Sequence, residues 1–345
     1  MTSPGAKPDV KGPDIQGKHI VVLTAVYNDW ESLALLLPEI DHAFAGSGAR
    51  VDVVVVDDGS AERGGRDSIP GLELGEIRDI HEIELASNQG NQRALAIGVA
   101  HIAENLPCDY LVVMDADHED KPEDIPSLLS ETLSEEQPCI IFAGRGKRTE
   151  GRLFAAGYSI FRLLYRALTG IRIQMGNFSV VPGSMVARLA HQAPLWHHYS
   201  SAILRSKLPY RVVPKARGTR RLGQSGMNPL RLIVHAFSGL TVFADIAAVR
   251  LILTSIVLAG LVLTGAIVVA LLKLGTDLPI VGWTSIFAGI LLVMVAQALA
   301  ASLNLLFMVL FLKSQPAMIP AHDYRRFILR EASLRPLSET PPEPS

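Results

Sequence analysis

Five short apolar runs, at positions 20–23, 51–56, 80–85, 111–114 and 139–142, punctuate the first 145 residues. Two longer stretches between them, 30–45 and 92–105, repeat apolar residues at helical spacing. Continuous apolar strands alternating with helices predict an α/β domain whose mostly parallel sheet is covered on both faces. The pattern changes after position 250. Residues 251–272 carry no charge between Arg250 and Lys273, and residues 278–312 carry none before Lys313. About 20 apolar residues cross a bilayer core, so two membrane spans are predicted, the second tilted or starting in the interface near Trp283. Gln297 and Asn304 share a face of the second run and are expected to hydrogen-bond to the first.

Residues 228–249 form a third kind of segment. Asn228-Pro229 suits a helix start. Arg231, His235, Ser238 and Asp245 fall on one face, and Leu232, Ile233, Phe237, Leu240, Phe243 and Ala247 fill the rest. This predicts an amphipathic helix, lying in the membrane interface or packed on the soluble domain. Arg217, Arg220, Arg221 and Arg231 precede the first span, and Lys313, Arg325, Arg326 and Arg330 follow the second. The excess of basic residues places both ends on the cytoplasmic side. The expected organisation is a polar, disordered lead at 1–17 and a catalytic domain at 18–227. The interfacial helix at 228–249, two spans at 250–313 and a cytoplasmic tail at 314–345 complete it.

Composition narrows the function. A net charge of −2 over 345 residues gives no basic surface for nucleic acid. Cys108 and Cys139 cannot form a disulfide framework and read as small buried side chains in a reducing compartment. The first 18 residues lack the apolar core of a secretory signal peptide.

Chemistry gathers where the predicted strands end. The fourth runs into Asp115-Ala116-Asp117, a pair of carboxylates of the kind that holds a hard divalent cation against phosphate. The first ends in Ala25-Val26-Tyr27-Asn28-Asp29, the second in Asp57-Asp58-Gly59-Ser60, and the third in Ser87-Asn88-Gln89-Gly90-Asn91. The fifth ends in Gly144-Arg145-Gly146-Lys147-Arg148. Ligands of open α/β sheets bind beyond the carboxyl ends of strands. Any one of these motifs alone is a common turn or cap; their ordered succession is specific.

With Gly176-Asn177-Phe178 and Arg220-Arg221-Leu222-Gly223-Gln224-Ser225, this series resembles glycosyltransferase family 2, of GT-A fold. Within it the chain is similar to enzymes that move a sugar from a nucleotide onto a polyprenyl phosphate. The resemblance implies a membrane-bound hexosyltransferase using a UDP- or GDP-sugar donor, a polyprenyl phosphate acceptor and Mg²⁺ or Mn²⁺. It implies that Ala25, Tyr27, Asp29 and Asp57 hold the nucleotide, together with Asp115 and Ala116. Asp115, Asp117 and Glu119 are the implied metal ligands, and Asp117, Arg145 and Arg220 the implied catalytic residues. Several positions depart from the family pattern. Ala25 stands for Pro, Asp29 for Glu, Glu119 for Gln, Asn177 for Asp, and Gly226 for a phosphate-binding Lys. Arg221, or Lys147 with Arg148, is the expected replacement for that Lys. His118, His197 and His198 read as bystanders or packing residues.

A phosphate monoester has a second pKa of about 6 and is its own nucleophile, so no general base is expected. The alternatives are a processive polysaccharide synthase and a non-catalytic membrane scaffold. The synthase reading lacks its Gln-x-x-Arg-Trp motif, since neither Trp30, Trp196 nor Trp283 follows Arg. Membrane lipid is an expected partner, and a homo-oligomer is compatible with the sequence. The sugar is not specified.

Overall fold

The computed structural model describes residues 14–145, 152–171, 175–216, 218, 237–275 and 283–335. The chain divides into two compact units that are not consecutive stretches. One comprises Met1–Thr149, Gln174–Val242 and Met318–Ser345, and the other Glu150–Ile173 and Phe243–Ala317.

The first unit is built on β1 (His19–Val26), β2 (Arg50–Asp57), β3 (Ile77–Leu85) and β4 (Tyr110–Val113), all parallel. Val-rich segments such as β2 suit a strand because β-branched side chains are stiff and pack well on a pleated surface. Beyond β4 come β5 (Ile140–Arg145), β6 (Met175–Pro182) and β7 (Tyr210–Lys215), with β6 antiparallel to both β4 and β5. Alternate side chains serve opposite faces. Val22, Val53, Val55 and Val112 pack under α1 (Trp30–Ala43) and α3 (Ile125–Leu133). Val21, Leu23, Val54, Val56 and Val113 pack under α2 (Asn91–Asn105), α5 (Gly183–Ala190) and α6 (Tyr199–Ser206). The predicted mostly parallel, doubly covered sheet is therefore present, and β1 to β5, α1 and α2 fall where the apolar pattern put them.

The second unit holds α4 (Arg152–Thr169), α7 (Ala244–Gly275) and α8 (Trp283–Ser314). Stretches of 25 and 27 residues in α7 and α8 have membrane-spanning length, and within an 18-residue apolar window of each only 6% and 11% is buried. A core helix of a soluble protein would be covered, so these are candidate membrane spans. Asp245 in the first turn of α7 pairs with Lys313 in the last turn of α8 at 2.5 Å. The two helices therefore form a hairpin that starts and ends on one side. The expected interhelical glue is different from the one found. Gln297 and Asn304 are exposed, and a 3.2 Å hydrogen bond instead joins Ser255 to Ser302, whose small side chains allow close approach.

The segment at 228–249 also differs from a single amphipathic helix. Residues 228–236 lie outside the described residues; 237–241 are helical, Val242 and Phe243 form a turn, and α7 has begun by Ala244. Arg205 donates to the Val242 carbonyl at 2.7 Å, which satisfies that carbonyl and ends the helix there. An amphipathic helix not singled out from the sequence is α4. Leu163 and Leu164 are exposed beside Arg162 and Arg166, while Arg250 donates to the Ala167 carbonyl at 2.9 Å and caps its C-terminus.

The chain after α8 is not simply a tail. A short helix α9 (Pro320–Asp323) leads through Tyr324 to β8 (Ile328–Ser333), which pairs antiparallel with β3 and completes the sheet order β7-β5-β6-β4-β1-β2-β3-β8. Tyr324 is buried, and its hydroxyl donates to Glu104 at 2.6 Å and accepts from Asn105 at 3.0 Å. Buried Glu82 of β3 is met by Arg66, and Glu84 by Arg63 and Arg330, so two acidic side chains on this edge are neutralised in place. The Arg63 hydrogen bond holds the Glu84 carboxyl below the usual carboxylate range.

Truncating a buried aromatic costs about 3–5 kcal/mol. Tyr324→Ala is accordingly expected to lower the thermal midpoint of the purified full chain clearly, and Tyr324→Phe to lower it less. Equal midpoints for all three proteins would mean that the returning segment contributes nothing to the fold.

Candidate active site

The parallel strands deliver their loops to one edge of the sheet. Register Val26↔Asp57 sets the ends of β1 and β2 side by side, and Leu23↔Val113 does the same for β1 and β4. Asn28 adopts left-handed φ of 53° and knits the first two loops together. Its N–H donates to Ser60 Oγ at 2.9 Å, and its side-chain oxygen accepts from Glu62 N–H at 3.1 Å. Ala25 is partly buried in β1, Tyr27 is half exposed, and partly buried Asp29 precedes α1. Ala25, Tyr27 and Asp57 are thus brought together at one strand edge.

Asp57 is fully buried. One carboxylate oxygen accepts from Ser60 N–H at 2.9 Å; the other has no hydrogen-bond partner among the described residues and lies 3.6 Å from an Arg63 nitrogen. Asp58 is a structural bolt that sequence reasoning left without a role. Its two oxygens accept from Gln89 N–H at 2.6 Å and Gly90 N–H at 2.8 Å, fixing the β3–α2 loop. Burial pushes its carboxyl up, against the pull of those two bonds. Gly59 allows this closure. Its φ is +71°, and a Cβ there would lie 2.8 Å from the Ser87 carbonyl carbon and 2.9 Å from Asn88 N.

Asp115 and Asp117 lie in the loop that follows β4, and both are partly buried. Ser32 Oγ of α1 donates to the Ala116 carbonyl at 2.9 Å, and Asp115 N–H donates to Asp120 Oδ2 at 3.0 Å. His118 has left-handed φ of 63°, is buried, and reaches the Ser32 carbonyl at 3.1 Å and Glu39 at 3.4 Å. It is therefore a clamp between this loop and α1, more than the bystander expected. Asp115 Oδ1 accepts from Asn91 Nδ2 at 3.2 Å and Asn177 Nδ2 at 3.1 Å.

The two carboxylates are hard oxygen donors of the kind Mg²⁺ and Mn²⁺ prefer. Glu119 does not complete a three-carboxylate cluster with them: among the described residues no three His, Cys, Asp or Glu side chains converge on one metal position. The left-handed turn at His118 folds the Glu119 backbone onto the pair instead, its N–H donating to Asp117 Oδ1 at 3.1 Å. Two carboxylates without a protein cage still fit such a cation, which commonly completes its shell with substrate phosphate and water.

The basic residues divide. Arg145 is the last residue of β5, in register with Lys215 of β7. Lys215 is engaged with Asp124 at 3.1 Å and with Ser127. Arg220, Arg221, Lys147, Arg148 and Gly226 lie outside the described residues. Gly218, two residues before Arg220, donates its N–H to the Glu119 carbonyl at 2.9 Å, and a Cβ there would strike the His118 carbonyl. A cavity of about 590 Å³ borders the same loop, but Glu39 and Glu123 face His42 and Lys121 in its wall, so it offers no single sign of charge to a diphosphate.

Gly59→Ala must displace the Ser87–Asn88 backbone and adopt an unfavourable φ, at about 1–2 kcal/mol for the φ alone. Amide exchange at Gln89 and Gly90, whose N–H groups Asp58 holds, is expected to accelerate at least about tenfold. Unchanged exchange would show that the loop does not depend on this contact.

Residues 21–191 match the model for glycosyl transferase family 2. An undecaprenyl-phosphate 4-deoxy-4-formamido-L-arabinose transferase of Klebsiella pneumoniae is 26% identical over 220 residues, 63% of this chain and 64% of the relative. The same-named protein of Salmonella newport is 26% identical over 153 residues, 44% of this chain and 45% of its own. The match thus spans under two-thirds of the length of these curated relatives. A glucosyl-3-phosphoglycerate synthase from Mycobacterium tuberculosis, solved with Mn²⁺, UDP-glucose and phosphoglyceric acid, aligns at a TM-score of 0.47 and 16% identity. That alignment covers 67% of this chain and 80% of the other. By the family model, with a sheet and strand-end motifs that agree with it, residues 21–191 form a glycosyl transferase family 2 domain.

Proposed function

We propose that this protein transfers a hexose from a nucleoside-diphosphate sugar to a polyprenyl phosphate, with inversion, at a membrane surface. The observation that carries this reading is the pairing of β4 with β1, which sets Asp115 and Asp117 beside the Tyr27–Asp57 edge in a chain that also carries two membrane-length helices. The undecaprenyl-phosphate transferase names of the relatives support the acceptor class.

The donor fits best as a uridine nucleotide. A buried oxygen that accepts no hydrogen bond is costly, and among the described residues Asp57 keeps one such oxygen, beside Arg63 at 3.6 Å, while the other is committed to Ser60. One oxygen open to a hydrogen bond suits the single imide N–H of uracil; the neighbouring N–H groups of guanine call for both. Tyr27, half exposed, follows β1 at the same edge, where Val26 is in register with Asp57, and Ala25 and Asp29 flank it in sequence.

A divalent cation, Mg²⁺ or Mn²⁺, held by Asp115 and Asp117 would neutralise the departing diphosphate. Arg145 and Arg220 are assigned to donor or acceptor phosphates. An acceptor phosphate oxygen forms its bond to the anomeric carbon as the bond to the β-phosphate oxygen breaks, and the nucleoside diphosphate leaves with the electron pair. The acceptor is already anionic near neutral pH, so positioning dominates. The hairpin's single-sided ends, the basic residues flanking it and the apolar-basic surface of α4 support a catalytic unit on the cytoplasmic side, in a protein that contacts membrane lipid.

Membranes containing the protein, incubated with UDP- and GDP-sugars, undecaprenyl phosphate and Mn²⁺, are expected to form a solvent-extractable, acid-labile glycolipid from a UDP-sugar. Asp117→Asn is expected to reduce turnover at least about a hundredfold, in the range found when one electrostatic stabiliser of a transition state is removed. Full activity of that variant with metal still required would remove Asp117 from the metal site. Nucleotide-sugar hydrolysis by neither protein, and no glycolipid from any donor, would favour the scaffold reading.

A further inference from the structure

Amide oxygen and nitrogen have the same shape, so the orientation of an Asn or Gln side chain follows from its partners. One such chain of partners ends on Asp115, and its direction is fixed at the far end by a group that can only donate. The backbone N–H of Tyr199, at the start of α6, lies 2.6 Å from Gln92 Oε1. Gln92 must therefore present its NH₂, which reaches Asn177 Oδ1 at 3.4 Å. Asn177 must in turn present its own NH₂, which reaches Asp115 Oδ1 at 3.1 Å. The far end is rigid: Tyr199 is fully buried, and its hydroxyl is bonded to Ser179 at 2.9 Å. Asn177 is itself 6% exposed in β6.

Asn91 donates to the same oxygen of Asp115 at 3.2 Å. Oδ1 thus carries two amide donors, and among the described residues Oδ2 accepts no hydrogen bond. Partners of this kind orient a metal-binding carboxylate, and their loss typically weakens metal affinity by about 10–100-fold.

We propose that Gln92 and Asn177 are positioning residues that act in series, orienting Asp115 so that Oδ1 is held by amides and Oδ2 is left for the divalent cation. The proposal rests on the reading of Asp115 as a metal ligand. It gives the Asn at position 177 a reason in this chain. A carboxylate there could not donate to Asp115 and would set a second negative charge about 3 Å from it, which is unfavourable for both.

The two substitutions at Gln92 separate an orienting role from mere packing. Gln92→Glu keeps the shape and the acceptor for Tyr199 N–H, but replaces the NH₂ by an acceptor. Asn177 then turns its own NH₂ toward the new carboxylate and its carbonyl toward Asp115. Gln92→Ala removes the chain and lets Asn177 keep the favourable orientation. Mn²⁺ binding to the detergent-solubilised full chain, with and without UDP, is read from loss of the free-Mn²⁺ EPR signal, with thermal midpoints recorded beside it. Gln92→Glu is expected to weaken Mn²⁺ binding at least about tenfold and Gln92→Ala by a smaller factor, although alanine leaves the larger void. Asn177→Asp is expected to weaken it at least as much as Gln92→Glu. Equal effects at Gln92, or a larger effect of alanine, overturn the orienting chain while leaving the metal reading intact. Failure of the unaltered protein to bind Mn²⁺ overturns both.

Discussion

Two carboxylates separated by one residue repel each other and are best solvated by water. Holding them together at a sheet edge requires donors and a rigid backbone, and this constraint organises the surrounding structure. Pairing of β4 with β1 brings Asp115 to the edge. Ser32 fastens the Ala116 carbonyl, the Asp120 side chain takes the Asp115 N–H, and the left-handed His118 turns Glu119 N–H back onto Asp117. Asn91 and Asn177 supply neutral donors to Asp115. These contacts come from α1, α2, β6 and the loop itself, so the geometry of a pair of acidic residues depends on four separate parts of the chain.

The helix α4 interrupts the sheet between β5 and β6 in sequence and belongs to the unit that contains the spans, and the segment after the spans returns to close the sheet with β8. Neither unit can be cut from the chain at a single point. In the proposed function this interleaving serves a purpose: α4 is the next element in sequence after β5, which ends in Arg145, so a phosphate-binding edge and a membrane-surface helix are consecutive along the chain.

The strands β1 to β5 were legible because each is a buried apolar run bounded by turn residues, and the Asp-x-Asp pair because it interrupts one of them abruptly. The later strands were not. Tyr210–Lys215 is mostly polar at its ends and contains Pro214, Met175–Pro182 has Gly176 and Asn177 as its second and third residues, and Ile328–Ser333 is an edge strand whose side chains are largely exposed. Their pairing is decided by partners distant in sequence, which local periodicity cannot report. The same reason divides the site. Tyr27, Asp57, Asp115 and Asp117 stand at or just after strand ends, a position the apolar pattern marks in the sequence. Ser32, His118, Gln92 and the double grip of Asp58 on Gln89 and Gly90 act through tertiary contacts that no spacing in the sequence encodes.

In the proposed function Asp115 and Asp117 share one cation facing a nucleoside diphosphate. Anomalous diffraction from crystals of the full chain grown with manganese and UDP tests it most directly. The expected result is a single peak about 2.1 Å from Asp115 Oδ2 and from an Asp117 oxygen, with diphosphate oxygens completing the shell. A manganese peak elsewhere, or both carboxylates turned away from the bound nucleotide, would contradict the account.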